Sequence, residues 1–119
     1  MSICLEKSDF EELGDSMLNG FDKRVASLPP DMCLPFHEEA RQLEIEILGI
    51  HKLVVLGARR EDNLSGVALL WELMVNLCDA STQRLVKLVE LHPQCGAQIY
   101  YDRLLDLRNK CQRLQLMHS

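Results

Sequence analysis

Apolar residues recur along this chain at intervals of three and four, the spacing that places side chains on one face of an α-helix. Four segments show this pattern. The alternating runs of β-branched residues that indicate strands do not occur in the sequence. The sequence therefore predicts an all-α fold with four helices.

Two adjacent prolines separate the first two predicted helices. The first helix runs from Ser8 to Leu28 and stops at Pro29-Pro30, because proline cannot donate the backbone hydrogen bond that a helix needs. The second begins near Pro35 and ends at Gly57, a residue type that favours helix C-termini. The apolar stripe of the first is Phe10, Leu13, Met17, Phe21, Val25 and Leu28, and that of the second is Phe36, Ala40, Leu43, Ile47, Ile50 and Val54.

The third segment is apolar around most of its circumference. Its polar residues form one narrow stripe: Glu72, Asn76, Asp79, Gln83, Lys87 and Glu90. This stripe predicts one long helix over residues 65–92, while a break at Asp79–Ser81 is the alternative, because Asp and Ser also start helices. A fourth helix follows from about Gln94 to Met117, with the stripe Ala97, Tyr100, Leu104, Leu107, Cys111 and Leu114.

Four helices of similar length joined by short connections favour an up-down-up-down bundle. The chain has 119 residues, 47% hydrophobic and 26% charged, which suits one globular domain over residues 1–119. Helices two and three carry more apolar surface than one bundle stripe requires. Either neighbouring helices cover this surplus, or part of it is an exposed patch that binds a partner.

The predicted partner-binding patch lies on helices two and three. Lys52 would attract an acidic partner, and the apolar members would supply buried area. The partner would be an amphipathic helix or a second copy of the chain. The predicted patch residues are Ile45, Leu48, Lys52, Val55, Trp71 and Val75.

Charge and composition narrow the classes of partner. Residues 1–58 carry five basic and eleven acidic side chains, a net −6, whereas residues 59–119 carry eight and seven, a net +1. This acidic balance argues against nucleic-acid binding. The N-terminal residues lack the pattern of a secretory signal, and the longest apolar stretch, Val67–Leu77, is interrupted by Glu72 and Asn76. We therefore expect a protein of the cytoplasm or nucleus that spans no membrane.

The five cysteines do not form a recognisable metal or disulfide pattern. Their spacings are wide and irregular, which indicates reduced thiols. His92 and Cys95 have the spacing of two metal ligands, but no second pair completes a zinc site. We expect no metal, no cofactor and no small-molecule substrate.

Two alternatives would make the protein an enzyme or a phosphotransfer domain. Cys33 and His37 stand where a helix N-terminus could activate a thiol. His51 lies in the second helix, and histidine phosphotransfer domains are four-helix bundles with an exposed histidine. Those domains carry lysine and glycine three and four residues after the histidine, where this chain has Val54 and Val55. The resemblance is therefore one of architecture alone.

Ser27 is a candidate regulatory site. Arg24 precedes it by three residues, as basophilic kinases require, and Pro29 follows it by two, as phosphoserine-reading adaptors of the 14-3-3 kind prefer. The alternative is that these residues simply end a helix. We expect a non-enzymatic adaptor or scaffold domain in signalling, which binds a partner helix or forms a homodimer and which phosphorylation at Ser27 could regulate.

Overall fold

The computed structural model describes residues 7–118, and Cys4 lies outside them. Four α-helices and a single 3-10 turn make up the regular structure of this range, which contains no strand. The all-α prediction and the number of helices are therefore confirmed. The helices are α1 (Lys7–Ala26), α2 (Cys33–Arg60), α3 (Leu64–Leu91) and α4 (Gln98–His118), and the 3-10 turn is Pro93–Cys95.

Helix α3 is continuous, so the predicted long helix is confirmed and the break at Asp79–Ser81 does not occur. Two hydroxyl groups that could have started a new helix bond within α3 instead. Ser81 Oγ donates to the carbonyl oxygen of Leu77 at 2.7 Å, and Thr82 Oγ1 donates to that of Asp79 at 3.0 Å. Both residues are buried, and these bonds satisfy their hydroxyl groups without interrupting the helix.

The predicted end of α2 at Gly57 is wrong, because the helix continues to Arg60. Gly57 lies within α2 and does not end the helix. A methyl group at this position would lie 3.4 Å from Leu70 Cδ1, in ordinary contact, so the glycine stands against α3. Helix α4 begins later than predicted, because the 3-10 turn and Gly96, with φ of 77°, come first.

Helix α3 is the centre of the fold. It packs against α1, α2 and α4, and its closest partner is α4. Within residues 7–118, α1 and α4 make no contact with each other, and α2 touches α4 only sparingly. The molecule measures 50 × 30 × 15 Å across its Cα atoms, so the four helices form a flattened assembly and not a closed square.

The predicted apolar stripes agree with the core, with one exception in α1. Leu13 is 44% exposed, whereas Leu18, which was not assigned to the stripe, is buried. Helix α1 faces its neighbours through Phe10, Gly14, Leu18 and Phe21. Gly14 allows this rotation, because a methyl group there would already lie 3.2 Å from Leu77 Cδ1 of α3.

Candidate partner-binding groove

The structure divides the predicted partner-binding patch. Ile45 is 48% exposed and Leu48 is 41% exposed, Lys52 is exposed, and Val55 is half-buried. Trp71 and Val75 are each only 6% exposed and belong to the core, so they are not available to a partner. The helix-three part of the patch is corrected for this reason: the flank of α3 that carries Trp71 and Val75 packs against neighbouring helices.

One exposed residue of the patch, Leu48, lines a groove between α2 and α4. The groove has a volume of about 330 Å³. Leu48 contributes from α2, and Leu104 and Leu107 contribute from α4. Leu104 is fully buried, Leu107 is half-buried and Leu48 is exposed. The apolar lining of the groove therefore extends from the core to the solvent-exposed surface. Four charged residues complete the lining: Glu44, Arg103, Asp106 and Lys110.

Two ion pairs organise the rim of the groove. Arg103 Nη1 lies 3.3 Å from Glu44 Oε1, a contact that joins α4 to α2. Lys110 Nζ lies 3.2 Å from Asp106 Oδ2 along α4. The rim charges therefore neutralise one another and leave the leucine side chains as the dominant unpaired surface.

Unpaired cations stand on the α2 side of this groove. Lys52 follows Leu48 by four residues and Arg59 follows Val55 by four, so both lie on the same face of α2 as the groove residue. No carboxylate of the described chain lies within ion-pair distance of either cation. This edge is therefore basic, although the whole chain has a net charge of −5.

A hydrogen-bonded histidine fixes the groove at the N-terminal ends of α2 and α4. His37 Nδ1 lies 3.0 Å from the carbonyl oxygen of Cys95, and His37 Nε2 lies 3.0 Å from the hydroxyl of Tyr100. Because a carbonyl can only accept, Nδ1 carries the proton and donates to it. In the neutral ring Nε2 then accepts from Tyr100. The sequence did not reveal these hydrogen bonds, because Cys95 and Tyr100 lie 58 and 63 residues after His37.

The hydrogen bonds of His37 also concern the alternative in which Cys33 is a nucleophile and His37 its base. Cys33 is exposed at the start of α2, but both ring nitrogens of His37 are already engaged by Cys95 and Tyr100. The structure does not bring the Cys33 thiol and the His37 ring together as a nucleophile and its base.

Two other thiols lie in the core. Burial raises the pKa of the Cys78 thiol to about 12, with a smaller contribution from nearby Cys111, and raises the pKa of the Cys111 thiol to about 11. Both groups therefore remain protonated at neutral pH, a state that suits core packing and not nucleophilic attack.

His51 is half-buried against α3. Its ring centroid lies 5.9 Å from that of Trp71, and burial lowers the pKa of its imidazole. Burial therefore favours the neutral form of the ring. Phosphotransfer requires an accessible ring nitrogen, and this packing offers less access than a surface position would.

Both residues of the candidate metal pair, His92 and Cys95, are packed against the fold. The His92 ring stacks on Phe36, with centroids 3.9 Å apart and an interplanar angle of 21°, while Cys95 is buried. Across residues 7–118 no group of three or more metal-binding side chains is present.

A second cavity lies between α1, α2 and α3 and has a volume of about 240 Å³. Apolar side chains of all three helices surround it, including Phe10, Val54 and Leu77, and Glu11 and Asp15 stand at its α1 side. It adjoins Gly14, where α1 has no side chain, and we interpret it as a packing gap along the seam between α1 and α3.

Among the described helices, α3 alone has the length and apolar composition that could cross a membrane, with a mean hydropathy of 1.2. Ten of its residues are buried in the fold, among them Met74, Cys78 and Leu85. A helix that contacts three neighbours needs apolar residues around most of its circumference. Packing against three neighbours accounts for the buried part of this composition, and 33% of the apolar window is buried in the fold.

No family model matches the sequence, and neither a curated protein nor a solved structure is detectably similar to it.

Proposed function

We propose that this protein is a helix-binding interaction module and that the groove between α2 and α4 is its binding site. The observation that supports this most directly is an exposed leucine, Leu48, at the edge of an apolar groove whose charged rim is already paired. An amphipathic helix would bury Leu48 and Ile45 with its apolar face. Burial of apolar area of this kind is the main favourable term in helix-in-groove recognition.

The occupant that we propose is an acidic amphipathic helix of another protein. Lys52 and Arg59 stand unpaired along the groove side of α2, so glutamate or aspartate on the flank of a bound helix would meet them. A second copy that used the same groove face would bring its own Lys52 and Arg59 against those of the first, so like charges would meet. Charges of this kind contribute mainly to partner choice and to the association rate.

The proposed architecture is an up-down-up-down bundle. Gly14 and Asp22 of α1 meet Leu77 and Arg84 of α3 in increasing order, which supports parallel directions for these helices. In the same way, His37 and Glu44 of α2 meet Tyr100 and Arg103 of α4 in increasing order.

Helix α2 runs against α3 in this architecture. Phe36, near the start of α2, stacks on His92 just after the end of α3, and Gly57, near the end of α2, approaches Leu70. Alternate helices then share a direction, which supports the bundle. Helices α2 and α4 run parallel to each other on the two sides of the groove.

The proposal describes a single domain over residues 1–119, without a catalytic step, cofactor or small-molecule substrate, that acts as an adaptor or scaffold domain in the cytoplasm or nucleus. The four described cysteines are all free, which is compatible with a reducing compartment.

Titration of the isotopically labelled protein with a designed peptide tests the groove. The peptide is an 18-residue amphipathic helix with leucine on one face and glutamate on the other, and a second peptide replaces glutamate with lysine. We expect amide shifts clustered around Leu48, Leu104 and Leu107, and weaker binding of the lysine peptide. Shifts on α1, or equal binding of both peptides, would contradict the proposal.

Two variants provide the matched comparison. Leu48→Asp places a charge in the groove and should weaken binding of the glutamate peptide at least tenfold. Leu13→Asp changes a leucine of similar exposure on α1 and should leave binding unchanged.

Light scattering over a range of protein concentrations reports self-association. A dimer that Leu48→Asp dissociates would assign the groove to a second copy of the chain and would overturn the choice of a foreign helix.

A further inference from the structure

One ion pair connects the C-terminal end of α1 to α2. Arg24 Nε lies 2.7 Å from Glu39 Oε2, and the Glu39 side chain is largely sheltered while that of Arg24 is partly exposed. Ser27 lies one turn after Arg24, and its Oγ donates a hydrogen bond to the carbonyl oxygen of Arg24 at 2.8 Å. The serine, its upstream arginine and the carboxylate that holds this arginine therefore form one connected group.

Ser27 is also exposed, so a kinase can reach its side chain. Helix α1 ends at Ala26, and the connection 27–32 is exposed except at Leu28. A kinase binds its substrate in an extended form. Beyond Ser27 only two turn-type backbone bonds would have to open: Leu28 N–H donates to the carbonyl oxygen of Val25 at 3.2 Å, and Met32 N–H donates to that of Pro29 at 3.3 Å. Arg24, by contrast, is still helical and is held by Glu39.

We propose that Ser27 is a phosphorylation site whose access is controlled by the Arg24–Glu39 ion pair. A kinase that selects arginine three residues before its target must take Arg24 from Glu39 before it can position Ser27. The ion pair thus opposes phosphorylation in the folded protein, and loss of the Glu39 charge favours it.

The reaction is an ordinary phosphoryl transfer from ATP. Ser27 Oγ attacks the γ-phosphorus, its proton passes to the catalytic carboxylate of the kinase, a P–Oγ bond forms and ADP leaves. The product carries a charge of about −1.5 to −2 at neutral pH.

The phosphate would change the end of α1 in two ways. It would place negative charge at a helix C-terminus, where the helix dipole is already negative. It would also offer Arg24 three acceptor oxygens one turn away, in competition with Glu39. The last turn of α1 then loses its link to α2, so phosphorylation loosens this end of the helix.

The test compares phosphorylation rates of two variants of the full chain. Glu39→Gln removes the partner of Arg24, while Glu38→Gln removes an adjacent carboxylate that pairs with Arg41 instead. With a serine kinase that selects arginine three residues before its target, Glu39→Gln should be modified about two- to fivefold faster than the natural protein, the range that an exposed ion pair supports. Glu38→Gln should match the natural protein, and Ser27→Ala should remove the signal.

Hydrogen exchange then follows the consequence. Amides of the last turn of α1 should exchange at least twofold faster after phosphorylation, while those of α3 remain unchanged. Equal rates for Glu39→Gln and Glu38→Gln would overturn control by the ion pair. Failure of the kinase to modify a peptide of residues 20–32 would overturn the site itself.

Discussion

Two isoleucines on α2 give the most direct test of the face assignment on which the groove depends. Ile47 is fully buried, whereas Ile45, two residues earlier, is 48% exposed. Each is replaced by alanine, so the chemical change is the same and only the surroundings differ. The prediction is that Ile47→Ala destabilises the protein several times more than Ile45→Ala.

The magnitude follows from the groups removed. Ile→Ala deletes three methylene-sized groups, and at about 0.8 kcal/mol each their full burial contributes about 2.4 kcal/mol. A residual cavity adds to this, so Ile47→Ala should lower the free energy of unfolding by about 3 to 4 kcal/mol. At Ile45 about half of the transfer free energy applies, and the better helix propensity of alanine returns a few tenths of a kcal/mol, which leaves about 0.8 kcal/mol.

Urea unfolding followed by circular dichroism at 222 nm measures both values. The dependence on urea concentration should be the same for the two variants, because both expose a similar surface on unfolding. In thermal unfolding the Ile47→Ala midpoint should fall by about 12 °C and that of Ile45→Ala by about 3 °C. If Ile45→Ala is as destabilising as Ile47→Ala, then α2 presents a different face to the core and the proposed groove is misplaced.

Four further predictions concern backbone conformation, thiol reactivity and the pH dependence of stability. Gly96→Ala should lower the free energy of unfolding, measured by urea unfolding, by about 1 to 2 kcal/mol. The backbone φ of 77° disfavours a side chain, and the added methyl group would lie 3.2 Å from His37 Nδ1. An unchanged urea midpoint would contradict this prediction. Iodoacetamide at pH 7.5 should modify Cys33 well before Cys78, as followed by peptide mass spectrometry, because burial raises the pKa of Cys78 to about 12. The raised pKa of Cys78 stabilises the folded protein below about pH 9, and this contribution should be lost as the pH rises from about 9 to about 12. Burial lowers the pKa of the His51 imidazole, so this ring binds a proton more readily in the unfolded chain than in the folded protein. The free energy of unfolding should therefore fall as the pH drops from 7 to 5. A comparison of unfolding midpoints should show a smaller decrease in His51→Gln.

The sequence by itself determined the number of helices and the approximate extent of each. The polar stripe of α3 has one helical period, which is why the long helix could be predicted across Asp79 and Ser81. The stripe of α2 and the stop at the paired prolines were likewise readable, because periodicity and proline geometry act within a few residues. The same pattern predicted that Ile45 and Ile47 lie on opposite faces of α2.

Tertiary structure decided which surplus apolar residues remain at the surface. Trp71 and Leu48 both looked like surplus surface in the sequence, yet the first is core and the second is exposed. The difference arises because Trp71 faces α2, where the His51 ring lies 5.9 Å away, whereas α2 meets α4 only in part beside Leu48. Periodicity reports the direction of a side chain around its own helix, and only packing determines whether another helix lies in that direction.

The groove and the Ser27 site also combine features that can be read from sequence with contacts that only packing creates. Arg24 and Ser27 could be read together because they are three residues apart, but Glu39 joins them only through the packing of α1 on α2. His37 and Tyr100 likewise meet only because α2 and α4 share a neighbour in α3. Contacts between distant parts of the chain depend on the arrangement of whole helices, which no short stretch of sequence encodes.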